Sequence, residues 1–434
     1  MTEEIRNPGW LLPRGVVNEI EFCHEFKDKY CIVYWEGAFF SIEGRITRED
    51  DLRRKIYSEL EDWVTTEISA KVERLLGCLR VVAAQDCLAP RDAEEIVLDV
   101  ANGTLHIDGT FSSFRNLTRY RLPVRYNPAA EKPERWLQFV QELLNPEDIP
   151  VLQEFMGYCL IPSTLGQKML IITGKGGEGK SRIGVVMKDL LGVNMNVGSI
   201  AKVEKSPFAR ADLQHILLMV DDDLKMEALD QTNYLKSIIT AELPMDLEKK
   251  GIQSYQGNLN VRFMAFGNGT LQAVHDRSYG IFRRQIILEA RERPRDRVDD
   301  PYLSFQLKRE REGIFLWAFE GLQRLVLKDF KFTDSPRARA NLLRSMAQGN
   351  NIVEFFGSEG YIRFGPDCLV TSRALYEIYR EWCADNAYVP MASHGFWSFL
   401  MQNRETYRIS PTRTVPIGMG KYARGFRGVG IQLR

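Results

Sequence analysis

Three short stretches of this chain carry residue types that act together on a polyphosphate. Gly174-Lys175-Gly176-Gly177-Glu178-Gly179-Lys180-Ser181 fits GxxxxGK[ST] at every fixed position. Glycines at these points let backbone N–H groups turn inward around phosphate oxygens, and a helix beginning there adds positive potential. In such a loop Lys180 reaches the β- and γ-phosphates and Ser181 holds Mg²⁺, so the pattern calls for ATP and Mg²⁺ as cofactors. Hydrolysis needs a second, acidic site. Asp221-Asp222-Asp223 follows the run HILLMV and puts carboxylates at the end of a strand, where ligands bind in parallel sheets. One carboxylate would hold Mg²⁺, with Asp221 the first choice, and its neighbour Asp222 would orient the attacking water, the division of labour staying open. A solvated acidic loop closing a strand is the plainer alternative, and it loses ground because a phosphate loop lies upstream.

Two further positions would complete an ATPase. The run VRFMAF ends in Gly267-Asn268-Gly269, which places the Asn268 amide where a third strand can present it to a γ-phosphate. A simple turn is the alternative there. Arg283-Arg284 leads into the run QIILEA. An arginine supplied across a subunit boundary stabilises the charge that develops in phosphoryl transfer, whereas a solubilising cap at a strand edge is the commoner use of such a pair.

These residues need a rigid frame, and the pattern around them supplies one. Apolar runs at 168–173, 215–220, 261–266 and 285–290 alternate with helical stretches. That is the pattern of an α/β core whose parallel sheet is covered on both faces. Before it, residues up to about 128 mix short strand-like runs at 30–35 and 95–100 with a long helical pattern at 49–84. Asn102-Gly103 then signals a hairpin, and 133–160 reads as two amphipathic helices. After the core come an arginine-rich loop at 291–297 and helices through about 358. The last stretch reads as a helix at 371–385, a helix at 394–403 and a strand pair within 406–433. From residue 402 onward seven Lys/Arg face one acid, with Tyr407, Tyr422 and Phe426 interleaved. This order resembles a winged helix, with 394–401 as recognition helix and Lys421, Arg424 and Arg427 in the wing. A solvated basic terminus is the bland alternative.

Bulk properties narrow the partners. The chain has 434 residues, 44% hydrophobic and 27% charged, which suits a globular protein of several domains. Its 58 basic and 58 acidic residues cancel, so nucleic acid must be held by local clusters rather than by a global field. Seven cysteines form no CxxC pair, which suits thiols in a reducing compartment, and Cys23-His24 with Cys31 lacks the second ligand pair of a zinc site. No apolar run is long enough to cross a bilayer and the first residues carry no signal-type core, so a cytoplasmic protein is expected.

The order of phosphate loop, acidic strand, Lys-containing helix, hairpin, Asn-ended strand and Arg pair resembles superfamily 3 helicases. More closely, it is similar to the phage and plasmid branch of the poxvirus-type primase–helicase family. The likeness runs over roughly 95–434, through NGTLHI, LPVRYNPAAEKPERWLQFV, LQEFMGYCL, LKSIITAE, LKREREGIFLWAFEGLQRL and LYEIYREWCADN. It implies an AAA+ ATPase core at 166–299 and a helical collar at 131–165, and the strand-like and helical runs before them read as an α+β N-terminal domain at 1–130. A helical segment at 300–365 and a winged-helix domain at 366–434 would follow. It also implies a homohexameric, 3′-to-5′ ATP-dependent helicase on single-stranded and forked DNA, serving replication of a phage, plasmid or genomic island. Lys249 and Lys250, at the tip of a hairpin between 244 and 255, would then grip DNA in the ring's channel. The chain departs from the family in having Glu178 where Asn is usual and Thr240-Ala241-Glu242-Leu243 where a small–Gly–Gly–Asp run is typical. No primase signature is visible, which leaves a separate primase or other replication protein as a possible partner. The competing reading is an ATP-switched initiator or loader that binds origin DNA without unwinding it. A small-molecule kinase would leave the tail and the helical segments unexplained.

Overall fold

The computed structural model describes residues 7–85, 95–224, 232–268, 279–294, 300–349, 351–418 and 420–432. At its centre is a five-stranded parallel sheet in the order Met195–Val197, Leu218–Leu224, Arg262–Gly267, Met169–Thr173 and Gln285–Glu289. Successive side chains of a strand point to opposite faces, and here both faces are covered. Leu170, Ile172, Met264 and Phe266 join one buried cluster while Met169, Ile171, Phe263 and Ala265 join another. This two-sided burial explains why the strands read as unbroken apolar runs. The edge strand Met195–Val197 lacks that signature and escapes sequence reading, because it is three residues long with the polar Asn196 in its middle.

One strand is displaced from its expected place. The chain at His215 turns through a left-handed conformation (φ 65°), and the strand starts only at Leu218. It then continues through the aspartates to Leu224, so Asp221, Asp222 and Asp223 belong to the C-terminal half of the strand itself.

Helices Glu134–Leu143 and Ile149–Tyr158 pack with Arg311–Leu327 on one face of the sheet. Gly157 and Gly321 are needed at this seam. A Cβ at Gly157 would lie 2.3 Å from the Ala318 carbonyl, and one at Gly321 would lie 2.4 Å from that of Gln153. The fully buried Glu154 ties the seam together by accepting from Arg324 Nε at 2.8 Å and from the Thr333 N–H at 2.7 Å.

The N-terminal region has its own core, built from Trp10, Phe22, Phe26, Phe39, Leu52 and Leu76. Helix Glu19–Tyr30 is capped by Asn18, and an antiparallel sheet of Val33–Trp35, Ala38–Ser41 and Gly44–Ile46 follows. The single helix expected over 49–84 is two, Glu49–Leu60 and Ile68–Val82. The break lets Val64 fold back into the core, and Glu67 takes the turn at φ 53°.

The C-terminal part runs helix Asn351–Gly357, strand Ile362–Thr371, helices Ser372–Asp385 and Ser393–Gln402, then strands Ser410–Pro416 and Tyr422–Ile431. Its antiparallel sheet has Tyr422–Ile431 in the middle. The strand at 362–371 was absent from the sequence reading, since most of its residues are polar or exposed. Among the described residues no helix is long and apolar enough to cross a membrane.

Candidate nucleotide site and nucleic-acid surfaces

The glycine loop joins the end of strand Met169–Thr173 to helix Ser181–Leu191. Gly174 is fixed to the neighbouring strand by its N–H, which donates to Gly267 O at 3.1 Å. Gly176, Gly177 and Gly179 have φ of 109°, 79° and 96°. L side chains rarely adopt such angles, and successive turns of this kind aim N–H groups into one concavity. The loop opens on a cavity of about 620 Å³ that is also lined by Asp222, Asp223, Asn268 and Arg293. Lys180 and Ser181 lie on its wall. The residues fit a polyphosphate with a divalent cation: a glycine cradle with a lysine, a hydroxyl at a helix start, and two exposed carboxylates opposite. Lys175 instead faces outward and pairs with Glu292 at the surface.

Asp221, expected as metal ligand and catalytic residue, does not line the cavity. Its side chain points to the other face of the strand, is buried, and accepts from the Ile200 N–H at 2.8 Å. Burial raises the pKa of this carboxyl above its ordinary value. The alternation of a strand gives the reason: Asp221 and Asp222 cannot face the same side, and Asp222 is the one on the cavity. Asp223 reaches the cavity as well, at the point where strand pairing slips between Asp221 and Leu224.

Asn268 sits at the end of strand Arg262–Gly267 and lines the cavity. Arg283 and Arg284 lie elsewhere. They precede strand Gln285–Glu289 and so occupy the opposite rim of the sheet from the glycine loop. Neither can serve the loop of its own chain. Lys168 stands beside them, and burial together with the charges of both arginines lowers its pKa. Sequence reasoning missed Arg293, whose guanidinium reaches the Gly177 carbonyl at 3.4 Å. It lies in the arginine-rich loop, and spacing alone did not single it out.

The hairpin is formed by Met245–Lys249 and Ile252–Gly257, with Gly251 at φ 75° in the turn. Its two lysines differ. Lys250 is exposed, whereas Lys249 Nζ donates to Gln214 Oε1 at 2.8 Å and lies close to Gly37. Tyr255 Oη donates to the same oxygen at 2.8 Å, and Gln214 Nε2 reaches Glu36 at 3.4 Å. Glu36-Gly37 is itself the two-residue tip of the hairpin between Val33–Trp35 and Ala38–Ser41, with both φ angles positive as such tight turns require. The tips of two hairpins therefore meet over Gln214. Beneath them His215 Nδ1 accepts from Arg119 Nε at 2.8 Å. Burial, with the charges of Arg119 and Arg45 beside it, pushes the His215 pKa down to about 2. An arginine can only donate, so Nδ1 carries no proton.

On the C-terminal sheet Lys421, Arg424 and Arg427 are all exposed, with Lys421 in the turn between strands Ser410–Pro416 and Tyr422–Ile431. Phe426 between them is buried and stacks on Trp397 of helix Ser393–Gln402, with centroids 5.8 Å apart. That contact fixes the helix against the basic strand.

Residues 172–284 match a protein family described only as a family of unknown function, DUF5906. No curated protein matches the chain. Among solved structures it is similar to the A form apo structure of the C-terminal region of NrS-1, with a TM-score of 0.50 and 13% identity, covering 94% of this chain and 98% of that one. A second apo structure of that region, residues 305–718, gives a TM-score of 0.50 at 12% identity, covering 95% and 100%. At such identities the likeness is one of fold, and it extends over nearly the whole chain.

Proposed function

We propose that this chain is the motor of a ring-forming, ATP-driven DNA helicase that acts in replication of a mobile genetic element. The observation that carries the reading is how the chemistry is divided between the two rims of the sheet. The glycine loop, Asp222, Asp223 and Asn268 share one rim, and Arg283 and Arg284 stand on the other. A subunit can then offer its arginines only to the nucleotide of a neighbour, which makes a ring the natural working form. The strand order, with the loop-bearing strand between Arg262–Gly267 and Gln285–Glu289, suits an AAA+ ATPase.

In this reading the inward N–H groups and Lys180 bind and orient the phosphates. Ser181 and Asp222 hold Mg²⁺, which supplies charge neutralisation at the phosphoryl group when bound. Asp223 or Asn268 positions the attacking water. Lys250 at the hairpin tip takes a DNA phosphate, and the order helix–strand–helix–helix–strand–strand at the C-terminus suits a winged helix. Its basic strand, with Arg424 and Arg427, would lie along the duplex.

Strand separation of a forked duplex with ATP and Mg²⁺ tests this. The wild type should unwind, Lys180→Ala should lose both ATPase and unwinding, and Lys250→Ala should keep ATPase while unwinding falls. ATPase without unwinding by the wild type would favour an origin-binding initiator or loader. One observation points that way: Lys249 is held by Gln214 instead of being presented to DNA.

A further inference from the structure

A carboxylate sits where the phosphate loop should hold a phosphate. The side chains of Lys180 and Glu178 are 9% and 3% exposed, and Lys180 Nζ donates to Glu178 Oε2 at 2.6 Å. The other oxygen, Oε1, accepts from the Gly176 N–H at 2.8 Å. The loop has closed around this pair. A Cβ at Gly174 would lie 2.7 Å from Lys180 Nζ and 2.9 Å from the Glu178 carboxyl. An inward N–H of the glycine turn and the loop lysine are the two donors that a nucleotide's β-phosphate takes in such a loop.

We infer that Glu178 is a built-in competitor for the phosphate position, which must be displaced whenever a nucleoside di- or triphosphate binds. The inference rests on the nucleotide reading above and adds a residue that sets its affinity. Glu178 is exchanged for the phosphate and is not part of the cradle itself. A lysine buried without a partner is costly, so the carboxylate stabilises the empty loop. Binding then breaks one buried ion pair to form another, which weakens nucleotide affinity. Release is assisted for the same reason, because Glu178 is tethered two residues away and returns as the phosphate leaves. Burial alone would raise the pKa of this carboxyl. The hydrogen bonds from Lys180 and backbone N–H groups outweigh that and hold it below its ordinary range, so it competes as an anion at neutral pH.

The experiment uses the full chain and ADP labelled with a methylanthraniloyl fluorophore, with Mg²⁺, titrated against the wild type, Glu178→Gln and Glu178→Asp. Thermal melts are recorded with and without unlabelled ADP. Glutamine keeps the shape and removes the charge, so it should bind about tenfold tighter and dissociate more slowly. Its nucleotide-free form should melt lower, since Lys180 has lost its anion. Aspartate keeps the charge on a shorter arm and should fall between the two, which preserves the test if the glutamine variant does not fold. Folded variants that bind no tighter than the wild type overturn the inference while leaving the nucleotide site in place. An absence of binding by all three chains, with no ADP-induced rise in melting temperature, overturns the nucleotide reading itself and is a separate result.

Discussion

The glycine loop at 174–181 and the 245–257 hairpin both present lysines from glycine-containing turns, and their local sequences promise the same thing, a cation offered to a phosphate. The structure treats them differently. Lys180 is enclosed with a carboxylate supplied two residues away by its own loop. Lys249 is held by Gln214, a residue 35 positions earlier in the chain, and through it meets the Glu36-Gly37 tip of the N-terminal domain. Lys250, its neighbour, is exposed. What governs a cation's availability is therefore the set of acceptors that tertiary packing brings to it, and the residue type and turn decide only where it starts.

The largest effect that would sharpen this comparison lies on the rim that carries the glycine loop. Asp222→Ala should lower ATP hydrolysis by roughly a hundredfold or more with little change in melting, because its carboxylate is exposed on the cavity. Asp221→Ala should do the reverse: it removes the acceptor of the Ile200 N–H and should cost about 1–3 kcal/mol in stability while folded molecules still turn over. A steady-state ATPase assay beside thermal melts checks both, and equal catalytic losses would break the assignment of the two faces.

A smaller effect belongs to the packing under the hairpin tips. The folded pKa of His215, about 2, lies well below its ordinary 6.5. Its contribution to stability is thus complete above pH 6.5, where both folded and unfolded chains carry a neutral ring. It is lost as pH falls below 6.5, because the unfolded chain takes up a proton that the folded chain refuses until about pH 2. The wild type should lose about 2 kcal/mol by pH 5 from this source. Denaturant titrations at pH 7 and pH 5 should show a smaller loss for His215→Asn, and an identical loss would show that the ring is not held neutral.

The smallest effect separates the two hairpin lysines. Lys250→Ala should weaken single-stranded DNA binding severalfold at low salt and reduce the salt dependence by about one phosphate contact. Lys249→Ala should change affinity less, since its ammonium is already engaged by Gln214. Fluorescence anisotropy across a salt series checks this, and the opposite ordering would mean that the hairpin swings free of Gln214 before DNA binds.

Much of the fold was legible in the sequence. Four of the five strands of the parallel sheet read as apolar runs because both faces of the sheet are covered, and the turns at Gly176, Gly177 and Gly179 were legible because φ angles near 100° favour glycine locally. The strand Ile362–Thr371 was not legible, since its polar residues are held by pairing with Tyr422–Ile431, far along the chain. Arg293 and Gln214 carry no local signal either, because each is defined only by what it reaches.

By itself the sequence determined what depends on near neighbours: the glycine loop, the apolar strands and the tight turns, all fixed by backbone sterics and the periodicity of burial. Only the tertiary structure decided which aspartate faces the cavity, which lysine is available and which rim carries the arginines. Those outcomes depend on strand register and on contacts between distant segments, and a shift of one residue along a strand turns a side chain from one face to the other.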